Sequence, residues 1–264
     1  MMGTITSADG TKIAFWREGA GPPMLLVHGG ICDHFAWYFV VPQLAQYFTV
    51  YTFDRRGRGG SGDSLPYSVK REVEDVVAML HAIGEPVHLV GHSAGGILAL
   101  KAAMRAENLM SLMLYEPAFV IEGARERPAP EVLNTIRCLL DAGDYDEVIR
   151  VAMRESVGMS EAEIAEMEAS PGWEHLCGVA EAVPHDWMLW EERLEMENVR
   201  AVRAPVLVLT GSESPAWLRE GADAVLAAIP EARRAEMPRQ GHSAMITGPK
   251  LFAKTVAEFA RQCH

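Results

Sequence analysis

Basic residues are scarce in this chain: 24 Lys and Arg stand against 36 Asp and Glu, a formal net charge of −12. So acidic a chain is repelled by phosphate backbones, and no basic stripe offsets the repulsion, which argues against nucleic acid and anionic membrane as partners. No apolar run reaches the ~18 residues a spanning helix needs. The opening residues, MMGTITSADG, lack the basic and then apolar blocks of a secretory leader, so a cytoplasmic location is expected. Cysteine is sparse: Cys32, Cys138, Cys177 and Cys263 are scattered with no CxxC pair. They read as reduced thiols, with Cys32 a small apolar filler. The histidines form no HExxH motif, and no metal or other cofactor is expected. The glycine–arginine run RRGRGG (55–60) is not followed by Gly-Lys-Ser/Thr, which removes the nucleotide-loop reading. Its arginines are expected to brace loops through ion pairs, beside Asp54.

What is present is an alternation of apolar strands and amphipathic helices. Residues 4–19 read as a hairpin around Ala8-Asp9-Gly10. Strands follow at 22–30 and 48–54, with a helix expected across 34–47 although Pro42 falls inside it. Residues 68–84 set Val69, Val73, Val76, Val77, Leu80 and Ile83 on one helical face and stop at Gly84. A strand (86–92), a helix (94–106) and a strand (109–117) come next. From 118 to 200 only helical patterns occur, in 130–143, 144–158, 160–170 and 185–195, with Ser160 and Glu163 spaced as a capping box. Strands return at 204–211 and 232–240, separated by a helix at 216–228, and a helix at 248–262 closes the pattern. The expectation is an α/β fold: a mostly parallel central sheet with helices on both faces. Residues 1–117 and 201–264 form the core, and 118–200 form a helical lid inserted in it rather than an independent domain.

One stretch carries chemistry. PVHLVGHSAGGI (86–97) sets Ser93 between Gly91 and Gly95 where a strand gives way to a helix. A Gly-x-Ser-x-Gly turn at that junction is sharp and projects the hydroxyl. A serine hydroxyl is a weak nucleophile, so it needs a base, a group to orient that base and an oxyanion hole.

Four segments, LLVHGG (25–30), FDRRGRGGSG (53–62), GHSAGG (91–96) and GHSAMITGP (241–249), match the α/β-hydrolase fold family in order and spacing. The chain resembles that family over nearly its whole length, lid included. The resemblance implies a serine nucleophile at Ser93 and a base at His242, in the loop after the last strand. It also implies an oxyanion hole made by the N–H groups of Ala94 and Gly30, with Gly29 or Ile31 as alternatives for the second. The acid is open. Most members carry an aspartate three residues beyond the glycine matching Gly211, where this chain has Ser214, with Glu213 one residue early. Glu116, at the end of the strand after the nucleophile's own unit, is the other candidate and is preferred. In that placement the chain is similar to the zearalenone lactone hydrolases, which pair serine with a glutamate there. Of the other histidines, His92 reads as packing, His28 as a loop brace and His88 as a strand residue. His34 and His81 fall in expected helices. His175 and His185 read as solvated lid residues, with His185 also a candidate for the pocket wall.

A helical lid over strand ends implies an apolar pocket. Ile31, Phe119, Met153 and Trp187 are the candidate substrate-binding residues, with Trp173, Met188, Trp190 and Met245 as further lining. The function expected is hydrolysis of a carboxylic ester or lactone of a hydrophobic small molecule through an acyl-enzyme. Carbon–carbon or thioester hydrolysis on the same triad is the sibling, and a slow-turnover receptor on the same fold the other class. Dehalogenase and epoxide hydrolase chemistry is disfavoured, because those relatives carry aspartate where Ser93 stands. A homodimer stays open as the one macromolecular partnership.

Overall fold

The apolar runs become strands of one sheet. The computed structural model describes residues 1–119, 129–191 and 196–263. The strands are β1 (Met2–Thr6), β2 (Lys12–Glu18), β3 (Pro23–Val27), β4 (Thr49–Phe53), β5 (Val87–His92), β6 (Leu109–Tyr115), β7 (Val206–Gly211) and β8 (Arg233–Met237), lying side by side as β1-β2-β4-β3-β5-β6-β7-β8. The β1–β2 hairpin and the β2–β4 pair are antiparallel, and every pair from β4 to β8 is parallel. β3, β5 and β7 are buried along their whole length. That follows from helices on both faces, which leave no solvent side for polar alternation.

The helices are α1 (Val41–Leu44), α2 (Val69–Ile83), α3 (Ala94–Ala103), α4 (Pro130–Ala142), α5 (Tyr145–Ala152), α6 (Glu161–Glu168), α7 (Trp173–Cys177), α8 (Val183–Glu191), α9 (Met196–Val199), α10 (Ala216–Ala228), α11 (Ala244–Thr247) and α12 (Pro249–Ala260). The two-residue side-chain period of a strand divides β3 cleanly. Leu25 and Val27 join α2, α3 and α10 on one face, while Met24 and Leu26 join α1 and α12 on the other. Each fully buried Leu, Val or Phe in these layers contributes about 1.5–3 kcal/mol. α2 starts at Ser68, whose hydroxyl accepts the Arg71 N–H, and ends on Gly84 at φ 74°.

The single helix expected across 34–47 is not formed. A 3₁₀ turn (His34–Trp37) and the short α1 replace it. Pro42 sits in the first turn of α1, where its missing N–H has no partner to lose, and it blocks a helix running through from residue 34.

Between β6 and β7 the described residues form helices only. Residues 120–128 and 192–195 of the expected 118–200 insert, including the end of the 185–195 helix pattern, lie outside the described residues. Here α4, α5, α7 and α8 share an apolar cluster that includes Ile136, Ile149, Met153, Trp173 and Trp187, and Ile31 from the loop after β3 joins it. α8 bridges two cores, giving Trp187 to this cluster and Leu189 to the sheet-side cluster of α2 and α3. Among the described residues no helix is long and apolar enough to cross a membrane.

Candidate active site

The register of the parallel strands levels their carboxyl ends. Gly91 lies opposite both Val27 and Leu114, and Tyr115 opposite Leu209. Whatever follows β3, β5, β6 and β7 therefore meets on one edge of the sheet. Ser93 is the first of these residues. It holds φ 53° and ψ −122°, in the left-handed half of backbone space, and its N–H donates to the Tyr115 carbonyl at 3.0 Å. So strained a conformation at a non-glycine residue persists only where the surroundings enforce it. They do so by close packing: a Cβ on Gly95 would overlap the carbonyl oxygens of Val27 and His28.

Glu116 directly follows β6, fully buried and at φ 44°. Its N–H bonds the Leu209 carbonyl at 3.0 Å. Its Oε1 accepts the Gly211 N–H at 2.6 Å, and its Oε2 meets His242 Nδ1 at 2.7 Å. Among the described residues it is the carboxylate that pairs with His242. Glu213, the other acid candidate, is exposed on the loop after β7 and uses its N–H on the Gln240 carbonyl. Ser214 is buried, and its hydroxyl finds no hydrogen-bond partner among the described residues.

Two residues that sequence reasoning missed hold the histidine loop. The Tyr115 hydroxyl donates to the Gly241 carbonyl, and His92 Nε2 donates to the His242 carbonyl at 2.9 Å. His92 packs as expected, stacked on Tyr115 and edge-on to Trp37. Burial, reinforced by the neighbouring His242, holds its pKa well below the ordinary value, so it is a neutral donor. The only sequence signal for this pair was that both precede a site residue on a strand end.

The loop after β3 is pinned from both sides. Arg55 donates its N–H to His28 Nε2 at 3.1 Å, which leaves His28 Nδ1 to donate to the Gly29 carbonyl at 2.9 Å. Arg55 Nη1 donates to the same carbonyl at 2.7 Å. The Ile31 N–H donates to Asp186 Oδ2 at 2.9 Å, so of the alternatives to Gly30, Ile31 is already engaged. Neither Gly30 nor Ala94 donates its N–H to a protein acceptor among the described residues. Asp186, on α8, also pairs with Arg58 at 2.7 Å and Arg55 at 3.0 Å. Glu72 pairs with Arg55 at 2.7 Å and accepts the Tyr67 hydroxyl. The arginine run thus braces loops through buried ion pairs. Burial alone would raise the Glu72 pKa, but Arg55 and Arg58 outweigh it and hold it at about 2.

Of the four pocket candidates, Ile31, Met153 and Trp187 meet in the cluster of the inter-strand helices, whereas Phe119, at the start of the insert, packs in the sheet-side cluster with Leu218 and Ala222 and is not brought together with them. Met188 is exposed, and Met245 packs on the far face with α12. One histidine expectation is corrected. His185 is neither solvated nor a free wall of the pocket, because it is buried and stacked on Tyr67 with ring centroids 4.0 Å apart. His175 is exposed as expected, with its Nε2 2.9 Å from Asp33. Asp33, His34 and Asp54 bring donor atoms within 4.8 Å of one another, yet each is engaged. His34 Nδ1 is 2.6 Å from Asp54 Oδ1, Asp54 Oδ2 accepts the Gly60 N–H, and Asp33 caps Phe35 while holding His175. Burial pushes the Cys32 thiol up to about 12, so it is not a thiolate at neutral pH.

An open parallel sheet with a strained serine turn at its centre is the architecture of α/β hydrolases. The profile of the Alpha/beta hydrolase family matches residues 24–255, and the chain belongs to that family. It is similar to a solved alpha/beta hydrolase from Sphaerobacter thermophilus, at 34% identity and a TM-score of 0.90 over 97% of this chain and 99% of that one. It is also similar to the N-formylmaleamate deformylase of Pseudomonas putida, at 36% identity over 138 residues, which are 50% of this chain and 52% of the deformylase. The pimeloyl-[acyl-carrier protein] methyl ester esterase of Aeromonas hydrophila is 33% identical over 143 residues, 52% of this chain and 55% of the esterase. The chain thus spans about half the length of these curated relatives.

Proposed function

We propose that the chain is a serine hydrolase that cleaves a carboxylic ester or lactone of a hydrophobic small molecule through an acyl-enzyme. The observation that carries this is the 2.7 Å contact between Glu116 Oε2 and His242 Nδ1 on the sheet edge that also bears the strained Ser93. Ser93 Oγ attacks the carbonyl carbon as His242 Nε2 takes its proton, and His242 then returns that proton to the leaving alcohol. Glu116 holds the Nδ1–H tautomer and stabilises the imidazolium. The N–H groups of Gly30 and Ala94 receive the oxyanion, each such donor being worth about 2.7–4 kcal/mol to the transition state. Water repeats the sequence on the acyl-enzyme. The mechanism calls for no cofactor. Residues 118–200 serve as a lid on a core of 1–117 and 201–264, with Ile31, Met153 and Trp187 as its apolar lining. The setting is cytoplasmic, as a monomer or homodimer.

The Aeromonas esterase and the Pseudomonas deformylase support acyl transfer over the half they share with this chain. The deformylase name supports a second reading, in which an N-formyl amide replaces the ester and the same steps apply.

Steady-state hydrolysis of a short-chain p-nitrophenyl ester tests the proposal. Wild type should turn over many times and Ser93→Ala should fall to background. Glu116→Gln should lose about 10²–10⁴-fold in kcat, and Glu213→Gln should stay within about twofold. Wild-type activity in Glu116→Gln would overturn the acid assignment. A wild type that binds esters without turning over would favour the receptor class instead.

A further inference from the structure

The hydrolase reading places an oxyanion donor at Gly30, and the question is what aims it. A planar trans peptide sets its C=O and N–H in opposite directions, so fixing one fixes the other. The Gly30 N–H shares its peptide plane with the Gly29 carbonyl. Arg55 Nη1 at 2.7 Å and His28 Nδ1 at 2.9 Å both hold that carbonyl. The next plane carries the Ile31 N–H, and Asp186 Oδ2 holds it at 2.9 Å. Both planes flanking Gly30 are therefore anchored. Ile31 itself sits at φ 51°, a conformation that this anchorage sustains. The Asp186 carboxyl also lies so near Gly30 that a Cβ there would approach to 3.1 Å.

We infer that Asp186, a residue of α8, is a positioning residue for the oxyanion hole: it fixes the Ile31 N–H directly and the Gly29–Gly30 peptide through Arg55. This inference rests on the serine-hydrolase reading. Asp186 Oδ1 meets Arg55 at 3.0 Å and Arg58 at 2.7 Å, and Arg58 Nη2 also donates to the Ala182 carbonyl just before α8. Glu72 completes the group, so two buried cations face two buried anions with no net charge left over. The guanidinium on the Gly29 carbonyl polarises that peptide and strengthens its N–H as a donor. The segment between β6 and β7 thus supplies an anchor of the hole, and undocking α8 would release Ile31 and loosen Arg55 together. Among the described residues, no hydrogen bond or ion pair joins Ser93, His242 or Glu116 to Asp186, Arg55, Arg58 or Glu72.

The test compares wild type, Asp186→Asn, Arg55→Lys and Asp75→Asn. Asp75 is a control, since it forms an equally buried pair with Arg56 at 2.7 Å away from the loop. Four quantities are read on folded protein: kcat and KM on a p-nitrophenyl ester, Ki for an alkyl trifluoromethyl ketone, and Ki for the product carboxylate. The ketone adds to Ser93 as a tetrahedral oxyanion, whereas the carboxylate reports ground-state binding. Asn at 186 can keep an acceptor on Ile31 but cannot also neutralise two guanidiniums. The expected result is a fall of at least about 30-fold in kcat, a parallel weakening of the ketone, and KM and carboxylate Ki within about threefold. Arg55→Lys keeps the charge but loses the fork that spans Glu72 and the Gly29 carbonyl, so it should fall the same way and serves if Asp186→Asn does not fold. Asp75→Asn should lose thermal stability and keep kcat within about twofold. The inference is overturned if Asp186→Asn keeps kcat and ketone affinity, if Asp75→Asn loses as much kcat, or if KM and carboxylate Ki weaken with the ketone. Labelling of wild-type Ser93 by a fluorophosphonate separates the two levels. With no label and no turnover the hydrolase reading itself fails, and the inference with it. With label and turnover present, the variants judge Asp186 alone.

Discussion

The length of one side chain matters at position 116. Glu116 satisfies two donors, the Gly211 N–H and His242 Nδ1, and does so from a backbone at φ 44°. Shortening it to aspartate withdraws the carboxylate by about 1.5 Å, one C–C bond, so it can keep one donor but not both. Glu116→Asp should lower kcat by about 10–100-fold and leave KM nearly unchanged, because on the proposed mechanism the interaction matters most when His242 is charged in the transition state. Glycine at 95 is equally constrained. Gly95→Ala would drive a methyl into the carbonyls of Val27 and His28, which are backbone and cannot swing away. Expression should give little soluble protein, as measured by gel filtration of the cleared lysate.

At the scale of elements, the informative features are helix ends. α6 carries both halves of the capping box that the Ser160–Glu163 spacing implied: Ser160 accepts the Glu163 N–H, and Glu163 Oε2 accepts the Ser160 N–H at 2.8 Å. Ser160→Ala should cost about 1 kcal/mol of local stability. Hydrogen exchange of residues 161–168 should accelerate by about fivefold with kcat unchanged, since among the described residues the side-chain bonds of α6 run to Arg150, Arg154 and Ser160 and not to the candidate catalytic groups. Helix ends are legible because a cap involves residues three apart. The failure at 34–47 has the same origin in reverse: the apolar spacing suited a helix, and the decisive fact was that Pro42 can only start one.

For the whole molecule, buried titratable groups set the response to pH. His28, His92 and His185 are all held below the ordinary histidine value of 6.5, burial being the largest cause in each. The unfolded chain takes up these protons first, so stability is fully present above pH 6.5 and declines as pH falls below it. Glu72 has a folded-state pKa of about 2 against an ordinary 4.5. Its contribution is complete above 4.5 and is lost as pH falls from there towards 2. Thermal melts at constant ionic strength should show a plateau above about pH 7 and a decline beginning near 6.5. A further loss between 4.5 and 2 should be flattened in Glu72→Gln.

By itself the sequence determined what neighbours in the chain can decide. The alternation of strands and helices, the turn at Ser93, the box at Ser160 and the histidine after the last strand all depend on residues within a few positions of one another. Periodicity and steric limits act at that range. Tertiary structure alone brought Glu116, rather than Glu213, to His242. That choice depends on the register that levels β6 with β7 and seats the Glu116 carboxylate between the Gly211 N–H and the histidine ring. It alone brought Asp186 to Ile31, 155 residues away in the chain. In the sequence Asp186 is one acidic residue in a helical pattern. Its contact with Ile31 exists because α8 packs between two apolar cores, and the buried arginines after β4 need a carboxylate there.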